Sequence, residues 1–358
     1  PATALAGNAV WISFIISAFL ALFTGLSYAE LNSIFPKDGS EYVYIENTFS
    51  KKLAFLIGYS ILLGGCFSAA TVSLGFAGYF ISLFNYNLIF VAMSLLIVVS
   101  LINLNGIKDS SKVNIVLTSL QILGLIFIVI ISLKYFGSVN YFEAPKGIKG
   151  IFNSSALIFF AYIGFESLVK LSEETKNSKK IIPIALISSI LIATILYILV
   201  SISAVSVLGY ERLSNSNAPL ADVVSEVLGE KFSLLITAIA LLTTASTVLL
   251  ILLSTSRGLY GIGEEIKKLR FLTKLSKARV PYISIFITLF LSSLFVFIGK
   301  IETVASITNF TIYLTFFFVN LSLIKLRIKK PKIKRKFRTP FNIKNIPVTA
   351  VIGVLTSI

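Results

Sequence analysis

Long apolar runs separated by short polar connections make up almost the whole of this chain. They fall near residues 9–29, 53–83, 88–104, 113–136, 150–169, 182–208, 232–260, 281–298 and 305–326, and a tenth begins near Ile346 and stops at Ile358. A hydrocarbon core of about 30 Å is crossed by about 20 helical residues at about 1.5 Å each. Lipid offers the backbone no hydrogen-bond partner, so such runs must be helices. A β-barrel would need segments of about ten residues with alternating polarity, and these runs are longer and uniformly apolar. The pattern predicts an all-α polytopic membrane protein with nine complete transmembrane helices and a partial tenth. The chain starts at Pro1, not Met, and ends inside an apolar run. It therefore reads as a fragment, one transmembrane domain over residues 1–358.

Composition agrees. Hydrophobic residues make up 56% and charged residues 13%, with mean hydropathy +0.91, whereas a soluble chain carries about a quarter charged residues. The 32 Lys+Arg against 16 Asp+Glu would suit nucleic acid, but their placement points to the bilayer. Taking the spans to alternate sides, 26 cations fall on one side and 6 on the other. That asymmetry predicts a multi-pass protein of the cell membrane with the basic loops cytoplasmic, and nucleic acid is not an expected partner. The basic stretch Lys325–Arg338 serves as a topology anchor or meets anionic lipid. On the other side, Ala221–Leu228 looks like a short helix over an external vestibule. There is no histidine, and Cys66 is the single cysteine, so no disulfide within the chain and no thiolate cluster is expected.

Ionisable groups and helix breaks inside a membrane are costly and mark function. The span at 150–169 has both, reading Phe159-Phe160-Ala161-Tyr162-Ile163-Gly164-Phe165-Glu166-Ser167. Gly164 either unwinds the helix, freeing backbone groups to hold a substrate's ammonium or carboxylate, or permits close helix packing. Phe159, Phe160, Tyr162 and Phe165 either close over a ligand or belong to the core. Glu166 is either a proton carrier or a structural carboxylate paired with a hydroxyl or a backbone amide. In the span at 232–260, Thr243, Ser246 and Thr247 share one helix face. Their hydroxyls suit a hard cation, or they bond backbone within the membrane.

The run Phe159–Leu186 (FFAYIGFESLVKLSEETKNSKKIIPIAL) resembles the sixth-helix signature of the amino acid–polyamine–organocation permeases. Leu26–Leu31 with Pro36 and Gly39–Tyr44, Ser256–Tyr260 with Val280-Pro281, and Lys325–Pro340 resemble other stretches of that family, in the same order. The resemblance implies a five-plus-five inverted repeat of the leucine-transporter fold, with this chain covering helices two to ten and the start of eleven. It implies a substrate site at Phe160, Ala161, Ile163 and Gly164, with Phe160 as an aromatic gate. Glu166 matches a carboxylate tied to proton-linked transport, and Thr243, Ser246 and Thr247 fall where sodium-dependent relatives hold their ion. Ser119 stands where some proton-coupled relatives carry a lysine, which disfavours the lysine mechanism, and with Thr243, Ser246 and Thr247 it is expected to form part of a sodium site. Ser178 departs from the family's usual Pro.

The expected function is secondary active transport of amino acids or related amines by alternating access, coupled to sodium or protons. No other cofactor is expected. The site residues are uncharged, favouring a neutral amino acid. A non-transporting nutrient sensor of the same fold is the alternative. An enzyme is not expected, because the chain has no histidine, no His-Glu metal motif and no paired intramembrane aspartates.

Overall fold

A computed structural model describes residues 1–37, 40–106, 111–173, 175–265, 267–276 and 278–357. Gly39 and Glu174, within two of the motif stretches, lie outside the described residues. The chain is helical almost throughout. In order come α1 (Ala2–Ala6), α2 (Val10–Ile34), α3 (Ser40–Thr48), α4 (Lys51–Ile81), α5 (Leu88–Leu104), α6 (Ser111–Ser132) and α7 (Gly147–Ile158). They are followed by α8 (Ser178–Asn215), α9 (Pro219–Leu228), α10 (Glu230–Glu265), α11 (Tyr282–Val296), α12 (Ile301–Lys329) and α13 (Val348–Leu355). The only strands among the described residues are β1 (Asn342–Ile343) and β2 (Ile346–Pro347), an antiparallel hairpin.

Seven segments are long and apolar enough to cross a membrane, and α5 and α11 are shorter apolar helices. These correspond to the nine expected spans. Three details differ from the sequence reading. The connection after α2 contains helix α3. The span at 150–169 is one helix only as far as Ile158. The partial tenth span begins at Val348, after the β-hairpin, not near Ile346.

Burial divides the bundle into two main cores. The first joins Tyr28 of α2, Phe159 and Phe165 of the broken span, Leu186 and Val205 of α8, and Phe316 of α12. The second joins Leu74 of α4, Leu96 of α5, Val248 and Leu252 of α10, and Val296 of α11. Helix α12 touches both, with Val304 in the second core and Phe316 in the first. Small residues bring α4 against its neighbours. A Cβ on Gly65 would come within 2.2 Å of Thr255 Oγ1 on α10, and one on Gly64 within 2.7 Å of Thr311 Oγ1 on α12. Close approach of this kind replaces the hydrophobic drive that lipid removes.

Basic connections from three parts of the chain meet at one end. There Lys37 pairs with Glu173 at 3.6 Å and Lys170 with Glu41 at 3.8 Å. At the opposite end, Asn8 Nδ2 donates to Glu143 Oε2 at 2.8 Å. The amide of Tyr210 donates to Asn8 Oδ1 at 3.1 Å. Helix α9 packs at that end against α8 and α10, its residues Val223 and Val224 buried, over the stretch expected to be helical.

Candidate functional site

The broken span forms the centre of the first core. After α7 the chain tightens into a 3-10 turn over Phe159–Tyr162, and Ile163 is extended (φ −63, ψ 138). Gly164 takes φ 121, ψ −22, and a second 3-10 run covers Phe165–Leu171. A Cβ built on Gly164 would meet nothing within 4 Å. Glycine is therefore present for its backbone conformation and not for close packing, since a positive φ of this size is strained for any other residue.

Residues of the break alternate between the core and open space. Phe159, Tyr162 and Phe165 are buried. Phe159 lies 4.6 Å from Tyr313, centroid to centroid, and Phe165 lies 5.5 Å from Phe316, both rings on α12. Tyr162 meets Tyr197 of α8 edge-on at 5.4 Å, and its hydroxyl donates to the Phe14 carbonyl at 3.1 Å. These three aromatics pack in the core. Phe160 and Ile163 are half-buried, while Ala161 and Gly164 are exposed. The four residues expected to face substrate thus share the less buried side of the break.

Breaking a helix frees carbonyls and amides that need partners. Asn309 of α12 donates from Nδ2 to the Ala156 carbonyl at 2.6 Å and to that of Leu157 at 3.4 Å. Tyr197 Oη donates to the Ala161 carbonyl at 3.0 Å. The Gly164 amide donates to Glu166 Oε2 at 2.8 Å. Upstream, Ser13 and Ser17 of α2 donate to the carbonyls of Ile151 and Ser155 at 2.9 and 2.7 Å. Asn309 and Tyr197 escaped the sequence reading. An asparagine in the middle of an apolar span was the available signal, because an amide there requires a partner.

Glu166 is buried and bonds a backbone amide, as a structural carboxylate would. It also lies within electrostatic reach of Lys170 and Glu41. Glu41, at the start of α3, is buried, accepts from Tyr28 Oη at 3.2 Å and from Ser40 Oγ, and pairs with Lys170. The break therefore ends, towards the basic side, in a polar cluster of two carboxylates and one ammonium. Tyr28 and Glu41 lie in the motif stretches, but no role was read for either.

The hydroxyls on α10 are arranged differently. Thr243 donates to the Ile239 carbonyl at 2.9 Å and Thr247 to that of Thr243 at 2.8 Å, and the helix continues unbroken. Their oxygens keep lone pairs for a cation. Thr243 is buried, Ser246 half-buried and Thr247 exposed. Ser119 lies in α6 within a stretch exposed from Thr118 to Leu123, and among the described residues no hydrogen bond joins it to the α10 hydroxyls. Gly124 of α6 approaches Ile236 and Ile239, and Ser119 is turned about 140° from Gly124 at 100° per residue.

Comparison with known proteins accounts for this architecture. A family model described as "Amino acid permease" matches residues 1–358. The chain is 28% identical over 378 residues to the branched-chain amino acid permease BcaP of Bacillus subtilis, covering 98% of this chain and 79% of that protein. It is 28% identical over 370 residues to the methylthioribose transporter of the same species, covering 97% and 79%. It is also 27% identical over 353 residues to cationic amino acid transporter 4 of Mus musculus, covering 91% and 55%. A helical bundle built round a glycine-broken span, matched end to end by that model, belongs to the amino acid permease family of the amino acid–polyamine–organocation superfamily, a family of carriers and not of enzymes.

Proposed function

We propose that this protein moves amino acids or related amines across the cell membrane by alternating access, its basic loops cytoplasmic and residues 1–358 acting as one permease domain. The observation that carries this reading is the break itself. It presents Phe160, Ala161, Ile163 and Gly164 on its less buried side, where carbonyls that each keep a second lone pair can receive an α-amino group. Phe160 closes over the bound substrate. No charged side chain lies among these four, which favours a neutral amino acid, in keeping with the branched-chain substrates in the name of BcaP.

The two cores supply the moving parts. The break, α2 and α8 move as one group against α4, α5, α10 and α11, because each set packs chiefly within itself. Packed cores shift as bodies more readily than they deform.

Transport is coupled to a cation. Thr243, Ser246 and Thr247 offer hydroxyl oxygens to sodium, with Ser119 as a more distant candidate. Glu166, in its cluster with Lys170 and Glu41, is the candidate proton carrier. Uptake of labelled leucine, alanine and arginine into proteoliposomes tests both parts. Accumulation of leucine over arginine supports the neutral reading, and arginine preference overturns it. Accumulation that needs sodium supports the α10 hydroxyls. Accumulation driven by a pH gradient alone, and abolished in Glu166→Gln, assigns coupling to Glu166.

A further inference from the structure

The connection from α12 to α13 is the most cationic part of the chain, and the transport reading proposed above assigns it no role. Ten Lys or Arg lie between Lys325 and Lys344, and no Asp or Glu follows Glu302. The connection is nevertheless pinned from within. Arg327, fully buried, donates from Nε to Glu30 Oε1 of α2 at 2.8 Å and from Nη1 to Asn342 Oδ1 at 2.6 Å. The Thr339 amide donates to Glu30 Oε2 at 2.8 Å, and Asn342 Nδ2 to the Thr339 carbonyl at 2.8 Å. Arg335 Nε stands 3.0 Å from Glu30 Oε1, while its Nη1 donates to the carbonyls of Pro331 and Ile333. Glu30 is the acidic partner of buried Arg327 and half-buried Arg335.

The outward side is built differently. Lys329, Lys330, Lys332, Lys334, Lys336 and Arg338 are exposed. None has an acidic partner among the described residues. Next to them the β1–β2 hairpin holds Phe341 76% and Ile343 68% exposed. Helix α12 has 29 residues, about 43 Å at about 1.5 Å per residue. That length matches the roughly 40–45 Å of a bilayer with its headgroups. Lys329, its last residue, therefore lies at phosphate depth on the basic side. Since α13 re-enters the apolar layer at Val348, the connection stays at that depth.

We propose that this connection is a built binding surface for anionic phospholipid headgroups. Its lysine ammoniums meet the phosphates, and Phe341 and Ile343 seat at the edge of the acyl layer. A loop that only orients the chain needs the charges. It needs neither a buried acid to fix its shape nor an apolar hairpin beside the lysines.

Trp11 is the single tryptophan, so Phe341→Trp in a Trp11→Phe background makes the hairpin the sole indole. The full chain is placed in nanodiscs of phosphatidylcholine, alone or with about one-third phosphatidylglycerol, each carrying a doxyl label on one lipid type. The expected result is blue-shifted emission, quenched at least about threefold more by labelled phosphatidylglycerol than by labelled phosphatidylcholine. That preference is lost when Lys329, Lys330, Lys332, Lys334 and Lys336 are changed to Gln. Equal quenching by both lipids, a preference that survives the five substitutions, or a water-exposed indole overturns the proposal. Native mass spectrometry gives a reading free of the tryptophan substitutions. Retained phosphatidylglycerol should fall in the five-lysine variant, and unchanged retention also overturns the proposal.

Discussion

The span Gly147–Leu171 and helix α10 both carry polar groups deep in an apolar run, yet only the first gives up its backbone ladder to do so. In α10, Thr243 and Thr247 return their protons to carbonyls one turn back, so the helix stays whole and other elements need supply nothing. In the broken span, Gly164 interrupts the ladder, and the freed groups are met from other helices by Asn309 and Tyr197 and from within the span by Glu166. A helix that bonds itself makes few demands on its surroundings. A broken one holds only if its neighbours are placed to receive it. Polar chemistry in the first region is thus a property of the tertiary structure, and in the second a property of one helix.

If that contrast is right, substitutions in the two regions should differ in a graded way. The largest effect is expected for Gly164→Val. A branched side chain at φ 121 adds strain of about 1–3 kcal/mol, equivalent to a loss of about five- to 150-fold in the population holding the break. Proteoliposome uptake, normalised to monodisperse protein on size exclusion, should fall by that factor. An unchanged rate would mean the broken geometry is dispensable.

Next comes Glu166→Ala, which leaves the Gly164 amide without its carboxylate and costs about 1.5–3 kcal/mol. Glu166→Gln keeps an acceptor in place, so thermal unfolding should rank wild type and Gln together, with Ala well below. If Gln unfolds as early as Ala, charge within the cluster with Lys170 and Glu41 matters more than the amide bond.

Asn309→Ala removes the donor to the Ala156 carbonyl. Hydrogen bonds between helices in membranes average about 0.6 kcal/mol and reach about 1.7. A fall in melting temperature smaller than that of Glu166→Ala is therefore expected. The smallest effect should come from Thr247→Ala, which loses only a bond to its own helix. Its melting temperature should match wild type, while a roughly tenfold weaker apparent sodium affinity, about 1.4 kcal/mol, would locate the coupling ion on α10. Destabilisation as large as that of Asn309→Ala would erase the distinction between the two regions.

Much of the fold was legible because hydropathy alone decides where lipid can solvate a helix. The spans at 88–104 and 232–260 coincide closely with α5 and α10. Helix α3 was hidden for the opposite reason. Its run Ser40–Thr48 is short and mixed in polarity, and it is held by burial of Tyr44 and Ile45 against neighbours. At the candidate site, Gly164 beside Glu166 marked the break, since both are costly in a span. The four aromatics around it could not be told apart in one dimension. Only the rings of Tyr313, Phe316 and Tyr197 divide Phe159, Tyr162 and Phe165 from Phe160.

The sequence by itself determined that this chain is a helical membrane bundle and which end is basic, and it offered one glycine at which a span can give way. Each follows from local terms: apolar length against bilayer thickness, cation counts, and the backbone freedom of a single glycine. The tertiary structure decided which groups receive the freed backbone and which face of the break stays open. It also brought Glu30 and Arg327, nearly three hundred residues apart, into one buried pair. Those outcomes depend on partners distant in the chain, and their cost is settled by desolvation once the helices have packed.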